Sequence, residues 1–193
     1  MVTTSPARER LVSTAAELFY RNGIAATGVD TVARVAEVSK PTLYAHFRSK
    51  TDLVVEVLTR RHAQRAAELM AYLAGVPVGQ RTLAIFDWYA DWYAHDGARG
   101  CAFLNAAAEV PDPADPVRLA VRAEKRWLHG LLAELARDDA LRDPDAVGVQ
   151  LLLLIDGVGA RVLVEGPPAG RSAVGHAAAA AAALVAAARQ AQP

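Results

Sequence analysis

Five side chains that can donate hydrogen bonds to phosphate fall close together, at Lys40, Thr42, Tyr44, His46 and Lys50. Proteins use lysines, hydroxyls and imidazoles of this kind to hold nucleic-acid backbones and to contact base edges. Packing of a short helix does not demand such a set, so the pattern predicts a nucleic-acid contact surface. The alternative is a small packing unit whose basic face is only solvated.

Two short helices must position these side chains. Leu43 and Phe47, spaced i, i+4, form the apolar face of the second helix. Ser39 is placed to cap that helix, and Pro41 is tolerated because first-turn amides have no intrahelical partner. The apolar positions of the first helix also share one face: Val29, Val32, Ala33 and Ala36. The pattern is that of a helix-turn-helix, with Phe47 in the core.

The order of residues from Val38 to Lys50, Val-Ser-Lys-x-Thr-Leu-Tyr-x-x-Phe followed by Ser-Lys, resembles the DNA-binding domain of the tetracycline-repressor (TetR) family. The match covers about residues 7–58. The resemblance implies a homodimer that binds double-stranded operator DNA and responds to a small-molecule effector, which remains unidentified. It places the DNA contacts at seven positions: Thr27, Lys40, Pro41, Thr42, Tyr44, His46 and Lys50.

We expect Lys40, Tyr44, His46 and Lys50 to contact phosphates and Thr42 to contact a base edge. The sequence departs from the family pattern at two positions where glycine is common. Glu37 occupies the turn and is expected at positive φ. The proline at 41 removes one backbone donor from the start of the helix.

Composition favours helices throughout the 193 residues, since 53% are hydrophobic and alanine and leucine predominate. The predicted fold is all-α, with an N-terminal helix-turn-helix module and a C-terminal helical domain that binds ligand and dimerises. Residues 1–50 carry seven Lys/Arg against four Asp/Glu, so a basic excess lies in the module. With one cysteine, no leader pattern and no apolar run of about 18 residues, we expect a cytoplasmic protein without membrane contact.

Glycine and proline divide the chain into helix-length segments. We predict a DNA-binding domain over 1–50 and an effector-binding and dimerisation domain over 51–193, with 51–74 as a connecting helix. The predicted helices of the second domain are listed by residue number: 51–74, 78–95, 101–110, 116–138, 145–165 and 171–190.

Aromatic and polar residues in the second domain could line an effector pocket, because ligand cavities are mostly apolar with a few polar groups. The candidates are Trp88, Tyr89, Trp92, Cys101, Phe103, Asn105, Glu109 and Trp127. An aromatic stripe at helical spacing is more often part of a core than of a pocket. A buried amide or carboxylate can also be satisfied by an internal hydrogen bond.

The last two predicted helices have apolar, slender surfaces that favour close helix packing. We expect the dimer interface at Leu152, Ile155, Gly159, Ala180 and Leu184. The alternative is burial of these residues within one subunit.

Catalytic chemistry has little support in the sequence. The segment Gly157-Val158-Gly159 lacks the third glycine and the preceding strand of a dinucleotide site. The five histidines are scattered without metal-ligand spacing. We therefore predict no catalytic residue, metal or cofactor. The alternatives are a helical small-molecule-binding protein without DNA binding and, with the least support, an enzyme.

Overall fold

The fold is described from a computed structural model that covers residues 5–95 and 97–190. Within these ranges the chain forms nine α-helices and no strand, which confirms the all-α prediction. In chain order the helices are α1 Pro6–Asn22, α2 Val29–Val35, α3 Lys40–His46, α4 Lys50–Ala74, α5 Arg81–His95, α6 Ala102–Glu109, α7 Pro116–Asp138, α8 Pro144–Glu165 and α9 Pro168–Gln190.

Local sequence signals set several helix ends. The Ser39 hydroxyl accepts a hydrogen bond from the Thr42 amide at 3.2 Å, so the predicted cap of α3 is confirmed. The Asp143 carboxylate caps α8 in the same way, through the Ala146 amide at 3.2 Å. At the end of α1, Gly23 has a φ of 91°, a conformation that favours glycine. Capping residues therefore fix where these helices begin or end.

Two helices begin three residues away from their predicted starts. α5 begins at Arg81 rather than at 78, because the Asp139 carboxylate accepts hydrogen bonds from the backbone amides of Gly79 at 2.7 Å and Thr82 at 3.2 Å. α9 begins at Pro168 rather than at 171, directly after Gly166, whose φ is 84°. Proline is well suited to a first helical position, so the helix extends back to the glycine.

The chain divides into two compact units. Unit 1 contains residues 5–64 together with Ala102–Arg122, and unit 2 contains Arg65–Cys101 together with residues 123–190. In unit 1, α1 packs on α2 and α3. Its core is built from buried apolar side chains that include Leu11, Ala15, Phe19, Val32, Leu43, Phe47 and Leu53. The helix-turn-helix is therefore supported by α1 and by the first part of α4.

Unit 2 is held by a single apolar core. α9 packs on α8 and on α5. The fully buried members of this core come from five helices and include Leu69, Ile85, Phe86, Leu128, Leu132, Leu151 and Ala181. Burial of each large side chain of this kind contributes about 1.5–3 kcal/mol to folding.

α8 and α9 keep apolar residues on the surface of the chain. Leu153 is 67% exposed and Val164 is 80% exposed. By length and composition alone these two helices could span a membrane, but core helices of soluble proteins pass the same test. Between the two helices lies a groove of about 530 Å³, lined by apolar side chains that include Leu153 and by the polar residues Arg161, Glu165, Ser172 and His176.

Candidate functional site

The turn between α2 and α3 has the backbone that the sequence predicted. Glu37 lies at a φ of 54°, which confirms the expectation of positive φ at this position. The preceding turn of α2 is held from α1, because the Arg10 guanidinium donates to the Ala36 carbonyl at 3.2 Å. The angle at which α3 leaves the turn is thus fixed by a strained residue and by a bond from another helix.

α3 presents one apolar and one polar face. Leu43 is fully buried and Phe47 is 4% exposed, as predicted for the core. On the other side, Lys40, Pro41 and Tyr44 are exposed, and Thr42 and His46 are half-buried. These five predicted contact residues therefore occupy one accessible surface of a short helix, which we call the α3 polar face.

The other two predicted contact residues lie outside α3. Lys50 is half-buried at the start of α4, and its ammonium donates to the Ala25 carbonyl at 3.5 Å. Thr27 is only 3% exposed, and its hydroxyl donates to the Gly23 carbonyl at 2.7 Å. The Thr27 hydroxyl thus holds the loop between α1 and α2.

An ion pair links the two helices of the helix-turn-helix. The Lys40 ammonium lies 2.8 Å from a carboxylate oxygen of Asp30. The hydrogen bond to Asp30 and the negative charge of that carboxylate raise the pKa of Lys40 above its ordinary value of 10.5. Lys40 therefore stays cationic at neutral pH, and its charge is already paired in the free protein.

Sequence reasoning missed Arg48, which follows the α3 polar face. Its side chain is 94% exposed and lies 3.3 Å from the Asp52 carboxylate. A basic residue between Phe47 and Ser49 of the motif was the signal that could have identified it. The Ser49 hydroxyl itself accepts a hydrogen bond from the Asp52 amide at 3.0 Å, as the serine of a capping box does at the start of a helix.

The eight predicted pocket residues are distributed over both units. Phe103, Asn105 and Glu109 belong to unit 1, and the other five belong to unit 2. Phe103 is 1% exposed, in a core position. The Glu109 carboxylate accepts the backbone amides of Ile24 at 3.0 Å and Ala25 at 2.7 Å. For Glu109 the structure therefore favours the alternative of an internal hydrogen bond.

In unit 2 the aromatic residues of α5 form a packed ladder. Tyr89 and Trp92 are buried, and Trp88 is half-buried. The ring centroids of Trp88 and Tyr89 are 5.1 Å apart in an edge-on arrangement, and those of Trp92 and Tyr93 are 4.9 Å apart. The predicted aromatic stripe is therefore part of the core, with Trp88 at its edge. Trp127 of α7 is half-buried against the same core.

A buried polar cluster lies beside this ladder. Arg65 forms an ion pair with Glu124, and both side chains are less than 10% exposed. The neighbouring Lys125 pairs with Asp156. Lys125 also donates to the Cys101 sulfur at 3.7 Å. We call these five residues, of which Lys125 and Asp156 are half-buried, the buried polar cluster.

One hydroxyl beside the cluster has no hydrogen-bond partner in the described part of the chain. The Tyr89 hydroxyl oxygen is buried without a hydrogen-bond partner, whereas the Glu124 carboxylate oxygen that accepts no hydrogen bond lies 3.9 Å from the Lys125 ammonium. Burial raises the pKa of Tyr89 above its ordinary value of 10. The phenol is therefore a neutral, buried donor that an acceptor group could satisfy.

The predicted dimer residues differ in exposure. Ile155 and Gly159 are buried within the chain, Leu152 and Leu184 are half-buried, and Ala180 is exposed. The exposed apolar residues of α8, described above, were not among the predictions. The run of four leucines at 151–154 holds no sequence signal that separates the inner from the outer face, although Leu151 is buried and Leu153 is exposed. Among the residues that the structure describes, no group of histidine, cysteine or acidic side chains could hold a metal ion.

Comparisons with known proteins agree with this geometry. The family profile for bacterial regulatory proteins of the tetR family matches residues 11–57, which span α1 to the first part of α4. The transcriptional repressor NemR of Escherichia coli K12 is 30% identical over 136 residues, which are 68% of either chain. The transcriptional activator FasR of Mycolicibacterium smegmatis is 35% identical over 120 residues, 60% of this chain and 54% of that protein.

The crystal structure of a TetR-family transcriptional regulator from Streptomyces coelicolor is 34% identical, with a TM-score of 0.84 over 93% of this chain and 95% of that chain. The chain belongs to the TetR family. As a TetR-family protein it is a ligand-responsive, DNA-binding transcriptional regulator and not an enzyme, as the sequence predicted. The all-α fold of this chain, with its helix-turn-helix near the N-terminus, agrees with the sequence match to NemR and with the Streptomyces structure.

Proposed function

We propose that this TetR-family regulator represses transcription by placing α3 in the major groove of an operator and leaves the DNA when an effector binds. The observation that carries the proposal is the α3 polar face, whose five accessible residues lie opposite the buried Leu43 and Phe47. A helix anchored on one side and polar on the other is what major-groove recognition requires. The protein would act in the cytoplasm, where its DNA lies.

Within this proposal, Lys40, Tyr44, His46 and Lys50 contact phosphates, and Thr42 contacts a base edge. Pro41 is exposed beside them, and its ring limits how closely the α3 backbone can approach the DNA. Thr27 supports the loop through its bond to Gly23 instead of donating to DNA. Phosphate contacts fix register, and the base contact carries sequence preference.

Selection of duplexes from a random pool would identify the operator, and binding of variants would then test the contacts. Lys50→Ala and Tyr44→Phe are expected to weaken binding to all duplexes alike, whereas Thr42→Ala is expected to reduce the preference for the selected sequence. Arg126→Ala, which removes an exposed cation outside unit 1, is the matched control. A selected sequence that wild type and Thr42→Ala prefer equally would contradict the base-contact assignment.

The effector site is proposed in unit 2, beside the aromatic ladder and the buried polar cluster. Support comes from the unpaired Tyr89 hydroxyl, since an unsatisfied buried donor costs about 1–3 kcal/mol that a ligand acceptor would recover. Trp88, Trp92, Cys101 and Trp127 belong to the same unit. Phe103 and Asn105 remain predictions, and Glu109 is assigned to the loop instead.

A thermal-shift screen of small molecules, followed by release of labelled operator, would test this site. Tyr89→Phe removes the unpaired hydroxyl, so the free protein is expected to be as stable as wild type or slightly more stable. Affinity for an effector found with wild type is expected to fall at least several-fold. An effector that binds Tyr89→Phe and wild type equally would place the site elsewhere.

The dimer interface is proposed on the outer face of α8 and α9, where the exposed Leu153 lines the groove and Val164 is also exposed. Apolar patches of this kind mark association surfaces. Leu152, Ala180 and Leu184 would meet the partner, and Ile155 and Gly159 would support the surface from within. Leu153→Glu is expected to give monomers by analytical ultracentrifugation. Val78→Glu, at a position that is 61% exposed between α4 and α5, is the control and should stay dimeric.

In the proposed mechanism, residues 1–50 are the DNA-binding domain and 51–193 the effector and dimerisation domain, joined by the helix from 51 to 74. The two α3 helices of the dimer would lie about 34–36 Å apart, one turn of DNA. Effector binding would change that separation, and by linkage DNA must weaken effector binding by the same factor.

The two curated relatives act in opposite senses, NemR as a repressor and FasR as an activator. We propose repression, because NemR matches a larger share of this chain. A reporter gene placed behind the selected operator should be silenced by the protein and restored by the effector. Reporter output that rises when the protein is present would reverse the proposed sense.

A further inference from the structure

The carboxylate of Asp30 lies beside the proposed DNA-contact surface. Asp30 is the second residue of α2, and Lys40 is the first residue of α3. Their side chains meet at 2.8 Å although the Lys40 side chain is 55% exposed and the Asp30 side chain is 70% exposed. An acidic group thus holds one of the cations on which the proposed phosphate contacts depend.

Folding does not require this ion pair. Pairs between exposed side chains contribute little to stability, because water screens them and two flexible side chains must be ordered. Asp30 makes a modest favourable interaction with the first turn of α2, which an asparagine partly retains. The carboxylate instead weakens DNA binding, because a negative charge next to phosphates is unfavourable.

We propose that Asp30 is an affinity-setting residue, whose carboxylate occupies the Lys40 ammonium in the free protein and competes with the DNA phosphate for it. This inference rests on the proposed phosphate contact of Lys40. On binding, Lys40 exchanges one anionic partner for another and adds less than a full new charge interaction. The Asp30 carboxylate is left near the DNA backbone without its partner.

The exchange lowers affinity for every duplex, because a phosphate contact is independent of sequence. It also lowers the number of counterions that binding releases, since Lys40 is already neutralised by a carboxylate. An effector shifts the equilibrium only by its difference in affinity for the two states. A lower operator affinity therefore allows a given effector to release the protein from DNA more easily. Asp30 would thus adjust how easily repression is relieved.

The test compares four forms of the full chain: wild type, Asp30→Asn, Lys40→Met and the double variant. Binding to the selected duplex and to an unrelated duplex is measured by fluorescence anisotropy, at salt concentrations from about 50 to 200 mM. Glu17→Gln, which removes one exposed carboxylate from α1 of the same unit, is the matched control for net charge.

Asp30→Asn is expected to tighten binding to both duplexes by about 3- to 10-fold and to steepen the salt slope by about 1 per chain. The ratio between the two duplexes should not change. In the Lys40→Met background, Asp30→Asn should tighten binding by less than it does in wild type, because only the repulsion between the carboxylate and the phosphates is left to relieve. Thermal unfolding should show all five proteins folded.

Three results would overturn the inference. Asp30→Asn could leave affinity unchanged or weaken it, so that the carboxylate does not oppose binding. It could tighten binding equally with and without Lys40, so that Asp30 acts by general repulsion. If Lys40→Met bound as tightly as wild type, the proposed phosphate contact would fail as well. A wild type that binds no duplex would instead refute the proposed function itself.

Discussion

Removal of the Glu109 carboxylate should loosen the loop between α1 and α2. This carboxylate accepts the amides of Ile24 at 3.0 Å and Ala25 at 2.7 Å. A hydrogen bond to a charged group contributes about 1.5–3 kcal/mol, so two at the lower end give about 3 kcal/mol. Because Ala25 is exposed, water replaces part of the loss, and about 2 kcal/mol remains in Glu109→Ala.

Hydrogen exchange measured by NMR reads this local loss directly. A loss of about 2 kcal/mol corresponds to roughly 30-fold faster exchange, at 1.36 kcal/mol per factor of ten. We expect that acceleration at the amides of Ile24 and Ala25 in Glu109→Ala, and a smaller one in Glu109→Gln, which keeps one oxygen acceptor. Glu17→Ala, at an exposed position of α1, is the control. Unchanged exchange at both amides in Glu109→Ala would refute the reasoning.

Four other predictions concern stability, each measured by urea unfolding at fixed protein concentration. Ser39→Ala should lose about 1 kcal/mol, because α3 loses its cap, whereas Ser39→Asp should lose little; equal losses would contradict a capping role. Asp139→Ala should lose about 1–3 kcal/mol, because the amides of Gly79 before α5 and Thr82 within α5 lose their acceptor. No loss would mean that water replaces the carboxylate. Arg65→Met and Glu124→Leu should each lose about 3–5 kcal/mol by leaving a buried charge unpaired, with the double variant more stable than either; additive losses would argue against a coupled pair. Burial raises the pKa of Tyr93 well above its ordinary value of 10, so the unfolded chain alone releases this proton as the pH rises above 10. The free energy of unfolding should therefore fall above pH 10, by less in Tyr93→Phe, and equal pH dependence in the two proteins would contradict this cause.

The helices and the family could be predicted because their signals are local. Proline residues at the start of α7 and α8 and the cap at Ser39 act within a few positions of the helix ends they define. The α3 polar face depends on a short motif, and the buried Leu43 and Phe47 opposite it also followed from the spacing of apolar residues. The roles of side chains that act within their own helix can therefore be predicted from the sequence.

Contacts between distant segments were not predictable. Glu109 shares a helical face with Cys101 in the sequence, yet its partners are the amides at positions 24 and 25, about 85 residues earlier. Arg65 and Glu124 are separated by 59 positions, and no local pattern relates them. Tertiary packing decides which polar groups meet, and periodicity alone reports only which face each one occupies.

The most direct test of the central claim is the salt dependence of operator binding together with the number of chains bound per duplex. Lys50 on each of two chains would neutralise two phosphates, and Lys40 adds less because Asp30 already pairs with it, so we expect a slope of log K against log salt of about −1.8 or steeper. We expect this slope with two chains on each duplex. A single chain per duplex, or affinity independent of salt, would contradict it.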